Sequence, residues 1–513
     1  MQKKFPARKA LPAYTKVCMV SALLFGILAH GPALTTQFAM ADGAHYLFSV
    51  GAATGSGRWF LGLLGAVVRM VFGSPNFSLP LWSGLITLFF AGLCACTLVS
   101  WLGLQKVGSQ VLVSGLVTVF PLMSGLFFYN FTAPYYLFGL WLVLLGGKEI
   151  CLHRGIKPLL LSVVLVCLGL GIYQAYLPLF LSLLLIYFFK ELSGREPWTF
   201  ARLCREVLWY CLGCILIGAA YLASVKLSTF LLHDTLTDYK GISSMGSATA
   251  AQYLQRVKLA IYLFVFPEKA DRYAFLLPYR LLDCYRLALL GIGAWGVWLV
   301  VRSFRQGPWK ALAAILALAC FPLAVNFLYV LCAQEDVYNL MLFGLLAPFL
   351  LILCISEWLP RPSLQKAAAV LLAIFCLFCI RTDNATYARG ELIQTRSISY
   401  FTSMIASIKS TPGYTASTPV ALVGDTFHAM DPTFLSIEGY SAISMAPLPY
   451  DASPFSIGYS WQDFLTLWCG FTPPYAEGSD YEDLPEVRAM PCYPDSGSIK
   501  IVDGVLIVKL GPT

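Results

Sequence analysis

The sequence predicts a polytopic α-helical membrane protein carrying a small C-terminal α/β domain. Three observations point there. The 513 residues are 58% hydrophobic and only 12% charged, with a mean hydropathy of +0.71, which is more apolar surface than a water-soluble core can hide. Apolar runs recur from Val17 to Ile380 and leave no room for an independent soluble domain between them. The composition then changes, and a tail of about 130 residues is polar.

Runs able to cross the hydrocarbon lie near residues 17–35, 81–102, 111–128, 134–147, 159–172, 176–189, 208–230, 284–301, 311–331, 339–356 and 367–381. That is about eleven crossings, an odd number, which places the termini on opposite sides. The formal charge of +8 would suggest a nucleic-acid partner in a soluble protein, but here the basic residues gather in alternate short loops. One set of loops carries Lys3, Lys4, Arg8, Lys9 and Lys16, then Lys106, then Lys148, Arg154 and Lys157. It continues with Lys190, Arg195, Arg202 and Arg205, then Arg302, Arg305 and Lys310, then Arg361 and Lys366. The opposite short loops around Asn130, Gln174 and Glu335 carry none. Because cytoplasmic loops concentrate Lys and Arg, the N-terminus is expected in the cytoplasm and the tail outside, with membrane lipid rather than nucleic acid as the partner.

The basic stretch Met1 to Lys16 precedes an apolar run, but no small-residue cleavage site follows before Asp42, so the segment reads as a retained first helix. Most of the 16 cysteines lie inside apolar runs, where a thiol acts as a small hydrophobe. Cys469 and Cys492 lie in the tail, where oxidation to a pair is left open.

These features divide the chain into a transmembrane domain, residues 1–382, with long outward loops at 35–80 and 233–283, and an extracytoplasmic α/β domain, residues 383–513. In the first loop, Trp59, Phe60, Leu61, Leu63, Leu64, Val67, Val68 and Val71 are spaced to line one face of a helix lying in the membrane interface. After the last span, Asn384 to Ser410 carries apolar residues along one side of a helix. Strand-like runs follow at Val420 to Val423 and around Asp503-Gly504, a hairpin dipeptide between two β-rich segments.

The chemistry-bearing residues sit in the outward segments. Asp42, followed by His45, lies just past the first span, where water keeps a carboxylate ionised and an embedded substrate could still reach it. That makes it the general-base candidate; otherwise it is a solvated loop acid. Arg58 and Trp59 open the interfacial helix, where a guanidinium offers several donors to a phosphate and an Arg-Trp pair also serves as a plain membrane anchor. Tyr173-Gln174-Ala175-Tyr176 breaks a run too long for one crossing; its hydroxyl and amide groups could bind a sugar, or simply close a helical hairpin. Arg256, Lys258, Arg272 and Arg280 put positive charge on a face that otherwise avoids it, suiting a phosphate headgroup or an ordinary solvated loop. Glu335 and Asp336 could supply a second acid. The sequence shows no nucleophile triad or glycine-rich phosphate loop, and five histidines give no zinc pattern.

Taken in order, these residues resemble the polytopic, serotype-converting glucosyltransferases that modify bacterial O-antigen. The resemblance rests on the Asp42 loop with Gly57-Arg58-Trp59, the Tyr173-Gln174-Ala175 turn, Asp383-Asn384-Ala385-Thr386-Tyr387 after the last span, and Met490-Pro491-Cys492-Tyr493-Pro494 with Asp503-Gly504 near the end. It implies a GT-C-like fold and transfer of a hexose, probably glucose in that family, from a polyprenyl-phosphate sugar to a surface polysaccharide on the outer face of the cytoplasmic membrane. It implies Asp42 as the base, Arg58 on the donor phosphate, and inversion relative to the donor. Many relatives carry two adjacent acids in the first loop, whereas Ala41 precedes Asp42 here, and a lone carboxylate is a poorer site for a divalent cation. Metal dependence is therefore left open. Tyr338 and Asn339 stand where relatives tend to carry an arginine, so phosphate contact there must come from elsewhere. Two other classes remain: a transporter or flippase of lipid-linked glycans, disfavoured by few midspan charges and no internal repeat, and a scaffolding tail on a passive membrane domain.

Overall fold

Proline at helix starts and glycine past helix ends punctuate the chain, because proline has no amide to lose in a first turn and glycine accepts the left-handed conformation that closes a last one. The computed structural model describes residues 12–511 except 40, 52, 74–77, 237–247, 271–273, 275, 333–335, 360 and 425–459. The helices are α1 (Ala13–Thr35), α2 (Trp59–Phe72), α3 (Pro80–Leu102), α4 (Val107–Val119), α5 (Leu122–Phe128), α6 (Ala133–Leu152), α7 (Ile156–Leu170) and α8 (Leu177–Ser193). They continue with α9 (Phe200–Leu231), α10 (Ala250–Val265), α11 (Arg280–Phe304), α12 (Pro308–Val325), α13 (Phe327–Leu331), α14 (Ala347–Trp358), α15 (Pro362–Ser410) and α16 (Ser460–Cys469). Pro80 opens α3 and Gly103 closes it; Gly73 closes α2.

Among the described residues, eight helices are long and apolar enough to cross a membrane, or nine if α4 and α5, bent by 47° at Phe120-Pro121, form one broken span. The runs expected at 159–172 and 339–356 are instead the shorter helices Ile156–Leu170 and Phe343–Trp358. Those two make the difference from the eleven crossings read from hydropathy. Fifteen helical residues rise about 22 Å, less than the roughly 30 Å of hydrocarbon. Leu24, Leu28, Leu208, Ile215, Leu290 and Val297 point outward and exposed, as side chains facing lipid do. The architecture is that of a multi-pass membrane protein.

Lipid supplies no hydrophobic drive between helices, so close packing of small residues must hold the bundle. The α6–α7 pair shows this. A Cβ on Gly169 would lie 2.7 Å from the Gly139 carbonyl oxygen and 2.5 Å from Val143 Cγ2, and one on Gly146 would lie 3.0 Å from the Ser162 carbonyl oxygen. Deeper in the bundle, His30 ties three helices. Its Nε2 donates to the Thr118 carbonyl at 2.8 Å, so Nδ1 is left to accept from the Tyr387 hydroxyl, also at 2.8 Å.

The two ends of the bundle differ. At one, Lys190 Nζ donates to the Leu102 carbonyl, Lys310 Nζ donates to the Gly194 and Glu196 carbonyls, Arg202 pairs with Glu196, and Arg154 pairs with Glu206. These are the Lys/Arg-rich loops of the sequence. The irregular segments around Asp42, Arg58 and Tyr173 lie at the other.

The amphipathic stretch 384–410 is not a separate helix. It continues the last span as one 49-residue helix that runs unbroken past residue 383, where the sequence suggested a boundary. At 1.5 Å per residue it is about 73 Å long, more than twice the hydrocarbon thickness. Its far end packs on a three-stranded sheet of β1 (Val420–Val423), β2 (Ile499–Val502) and β3 (Val505–Lys509), in the order β1-β3-β2, with β1 parallel and β2 antiparallel to β3. Asp503 and Gly504 both have positive φ, 48° and 78°, as the two-residue hairpin turn requires. One sheet face buries Leu422, Leu506 and Val508 against Phe401, Met404 and Phe464, and the other buries Ala421, Val423 and Ile507 against Val487 and Met490. Cys469 and Cys492 are both free thiols, and burial pushes the Cys469 thiol up.

Two glycines give a paired test of the packing. Gly169→Ala should destabilise the detergent-solubilised protein by about 1–3 kcal/mol through overpacking, read as a lower melting temperature. A Cβ at Gly218 meets nothing within 4 Å, so Gly218→Ala should be neutral or slightly stabilising.

Candidate active site

A short turn between α7 and α8 organises the site. After Leu170 the chain leaves the helix, and the Gly171 carbonyl, freed from helical pairing, accepts the amides of Phe60 at 2.9 Å and Leu61 at 3.3 Å. These are first-turn amides of α2, and the Leu61 amide also reaches the carbonyl of the capping Arg58 at 3.1 Å. The Gln174 carboxamide completes the seam. Its Nε2 donates to the Ser56 carbonyl at 2.8 Å and to the Tyr221 hydroxyl at 2.9 Å, and that hydroxyl donates to the Gly57 carbonyl at 3.2 Å. Gly57 sits at φ 72°, and a Cβ there would lie 2.9 Å from both Gln174 Nε2 and Tyr221 Oη. Only glycine meets both demands.

Arg58 follows immediately and is half-buried. Its guanidinium carbon lies 5.2 Å from the centre of the Tyr173 ring and 6.0 Å from that of Tyr136, a cation resting on two rings stacked 4.5 Å apart. Those rings are fixed in turn. The Tyr173 hydroxyl donates to the Leu340 carbonyl at 3.1 Å, the fully buried Tyr176 donates to the Tyr136 carbonyl at 2.6 Å, and both turn tyrosines meet Phe343 edge-on. Tyr173, Gln174 and Tyr176 therefore form the framework beneath Arg58. Trp59, half-buried, packs on Phe60 and close to Gly171.

Asp42 is half-buried in a short 3-10 turn, Ala41–Gly43, and its carbonyl accepts the Tyr46 amide at 2.9 Å. The loop rests on the connection between α5 and α6. Phe38 packs on Phe128 at 4.8 Å between ring centres, and Tyr46 packs on Phe131 at 5.3 Å. Tyr136, under Arg58, lies one turn into α6. Asp42 and Arg58 are thus carried by two loops seated on one short stretch, residues 128–136. On that stretch the Asn130 carboxamide and Thr132 hydroxyl are buried without a hydrogen-bond partner in the described structure, groups that a hydroxylated ligand would satisfy. His45 turns away from this joint, its Nδ1 2.8 Å from Asp463 Oδ2 on α16.

The loop between α9 and α11 is less concentrated than its sequence suggested. Glu268 takes Arg286 at 2.7 Å, and Arg280 pairs with Asp283 at 3.0 Å. Arg256 is half-buried and Lys258 exposed on α10, while Arg272 lies outside the described residues. Glu335 also lies outside them, and Asp336 is exposed at the head of the turn whose Leu340 carbonyl holds Tyr173.

Several residues at this joint were not singled out from sequence. Tyr136 and Tyr221 lie within apolar runs and look like core aromatics there. Gln394 holds the Asp42 loop, through bonds to Ala39 and Gln37, from a position off the apolar stripe of α15. Arg389, only 8% exposed, lies between the buried Tyr387 and Ile393. Its cue was a cation on a face that otherwise avoids one, the reasoning applied only to the loop at 233–283.

Removing the Gln174 bonds should loosen the Arg58 segment. Gln174→Leu removes the bond to the buried Ser56 carbonyl, a cost of about 1–3 kcal/mol, and should speed limited tryptic cleavage at Arg58 about tenfold or more. Tyr221→Phe, which loses the longer bond to Gly57, should have a smaller effect.

A family model described as glucosyl transferase GtrII matches residues 31–349, a stretch that includes the Asp42 loop, the Arg58 segment and the Tyr173 turn. No curated protein and no solved structure matches the chain. The match covers more than half of the chain, which therefore belongs to this family of glucosyltransferases.

Proposed function

We propose that this GtrII-family glucosyltransferase moves glucose from a polyprenyl-phosphate carrier to a surface glycan such as O-antigen, at the outer face of the cytoplasmic membrane, on a GT-C-like fold. The observation that carries the proposal is the joint at residues 128–136, which seats a carboxylate and an aromatic-backed guanidinium at the end of the bundle opposite its Lys/Arg-rich loops. The positive-inside rule assigns those basic loops to the cytoplasm, leaving the joint and the tail outside and the N-terminus inside.

In this mechanism Asp42 takes the proton from the acceptor hydroxyl as that oxygen attacks the anomeric carbon. The new glycosidic bond forms as the bond from carbon to phosphate oxygen breaks, inverting the configuration relative to the donor. Negative charge grows on the leaving phosphate, and Arg58 stabilises it with charge-assisted hydrogen bonds. The stacked Tyr136 and Tyr173 rings behind the guanidinium keep it oriented. Arg256, Lys258, Arg272 and Arg280 would attract the anionic donor at longer range. Asn130 and Thr132 supply partners for sugar hydroxyls, with Trp59 and Asp336 at the rim, while His45, engaged with Asp463, is not assigned to the sugar. Tyr173, Gln174 and Tyr176 act by holding Arg58. Among the described residues no three His, Cys, Asp or Glu side chains gather to hold a metal.

One observation favours a second reading, transport of a lipid-linked glycan. Asp383 is fully buried in the last span, and neither carboxylate oxygen has a hydrogen-bond partner in the described structure. Ionisable groups at such depth often mark a translocation path.

Reconstituted full-length protein given polyprenyl-phosphate glucose and extracted envelope glycans should form a glycosidic bond. Asp42→Asn should lower kcat by about 10²- to 10⁴-fold, and Arg58→Gln should lower kcat/KM more than Arg58→Lys, which keeps the charge. Movement of labelled lipid across the bilayer without any transfer would favour the transport reading.

A further inference from the structure

The Asp42 loop lies within the family match, yet the side chain that grips it comes from beyond residue 349. Gln394, on α15, uses both ends of its carboxamide. Its Oε1 accepts the Ala39 amide at 2.8 Å, and its Nε2 donates to the Gln37 carbonyl at 3.1 Å. Both partners are backbone groups of a non-helical stretch just ahead of Asp42. One bond would leave the stretch free to pivot. A donor and an acceptor two residues apart fix its register, as a neighbouring β-strand would.

Phe38, between the two gripped residues, is 4% exposed and packs on Phe128 and on Tyr387, the latter also a residue of α15. Gln37 Nε2 donates onward to Ser78 Oγ at 3.1 Å. On the far side of Asp42, the His45–Asp463 contact is about 40% exposed at both partners, and exposed pairs contribute little. Ahead of Asp42, α15 therefore holds the loop through the Gln394 bonds and the Tyr387 ring, beside the packing on Phe128.

We propose that Gln394 is a positioning residue that sets the place of the Asp42 carboxylate over the joint, so that the long last helix governs catalysis in the preceding bundle. This rests on Asp42 being the general base. Displacing a catalytic group by about 1 Å costs up to about 100-fold in rate, and the carboxamide touches backbone only, so substrate binding should be spared.

The test uses the full-length chain. In Gln394→Met, which keeps the length and removes both bonds, kcat should fall about 10- to 100-fold, with donor and acceptor KM within about twofold of wild type. The same change in an Asp42→Asn background should cause no further loss of the residual activity. Amide exchange in the peptide spanning residues 36–47 should quicken about tenfold or more in Gln394→Met. Gln394→Glu keeps the acceptor for Ala39 and loses the donor to Gln37, so its effects should be intermediate; if the Met variant does not fold, the Glu variant carries the same measurements. Unchanged exchange with wild-type kcat would overturn the proposal, as would an equal fractional loss in the Asp42→Asn background. Full activity of Asp42→Asn by itself would instead remove the general-base reading, and the positioning role with it, while the exchange measurement would still report whether Gln394 holds the loop.

Discussion

A backbone that leaves the helix beside a bilayer must find partners for every peptide group it frees, and the Gln174 carboxamide is where this chain finds them. The Gly171 carbonyl takes two amides from the first turn of α2, and Gln174 and Tyr221 take the carbonyls of Ser56 and Gly57. Without that seam the 56–58 segment would leave bare polar groups at the membrane boundary, and Arg58 would lose the tyrosine pair beneath it. Polar satisfaction therefore fixes the geometry of the proposed phosphate site.

The bundle around this seam meets a different demand. Its helices cannot rely on water to drive them together, so glycines bring α6 and α7 into backbone contact, and His30, fixed in one tautomer by the Thr118 carbonyl, links α1, α4 and α15. The last helix then carries this order past the span. The helix that His30 holds through Tyr387 also holds the Asp42 loop through Gln394 and seats the sheet through Phe401 and Met404. Core, Asp42 loop and tail share one continuous helix.

Much of this was readable from residue order, for identifiable physical reasons. Hydropathy located the helices because lipid exposure forces nearly every residue of a span to be apolar. Asp503-Gly504 announced a hairpin because few residue pairs accept positive φ twice. Hydropathy alone did not foresee that α7 and α14 are shorter than the other apolar helices, each adjoining a 3-10 turn that no apolarity scale registers. Gln174 was noticed as polar in an apolar run, but its role as a backbone clamp was hidden, since Ser56 and Tyr221 are distant in sequence. Tyr136 carried no signal at all: a buried aromatic two residues after a proline looks like core until a guanidinium is found upon it. Gln394 was missed because amphipathic patterns direct attention to the apolar stripe, and the clamp lies just off it.

The chemistry proposed here depends on the donor phosphate lying at Arg58 with the anomeric carbon facing the Asp42 loop. The most direct measurement is a structure of the full-length protein bound to a non-hydrolysable polyprenyl-phosphate glucose analogue. The account predicts phosphate oxygens within about 3 Å of the Arg58 guanidinium and the glucosyl ring over residues 128–136. A headgroup bound instead among Lys190, Arg202 and Lys310, at the opposite end of the bundle, would contradict it.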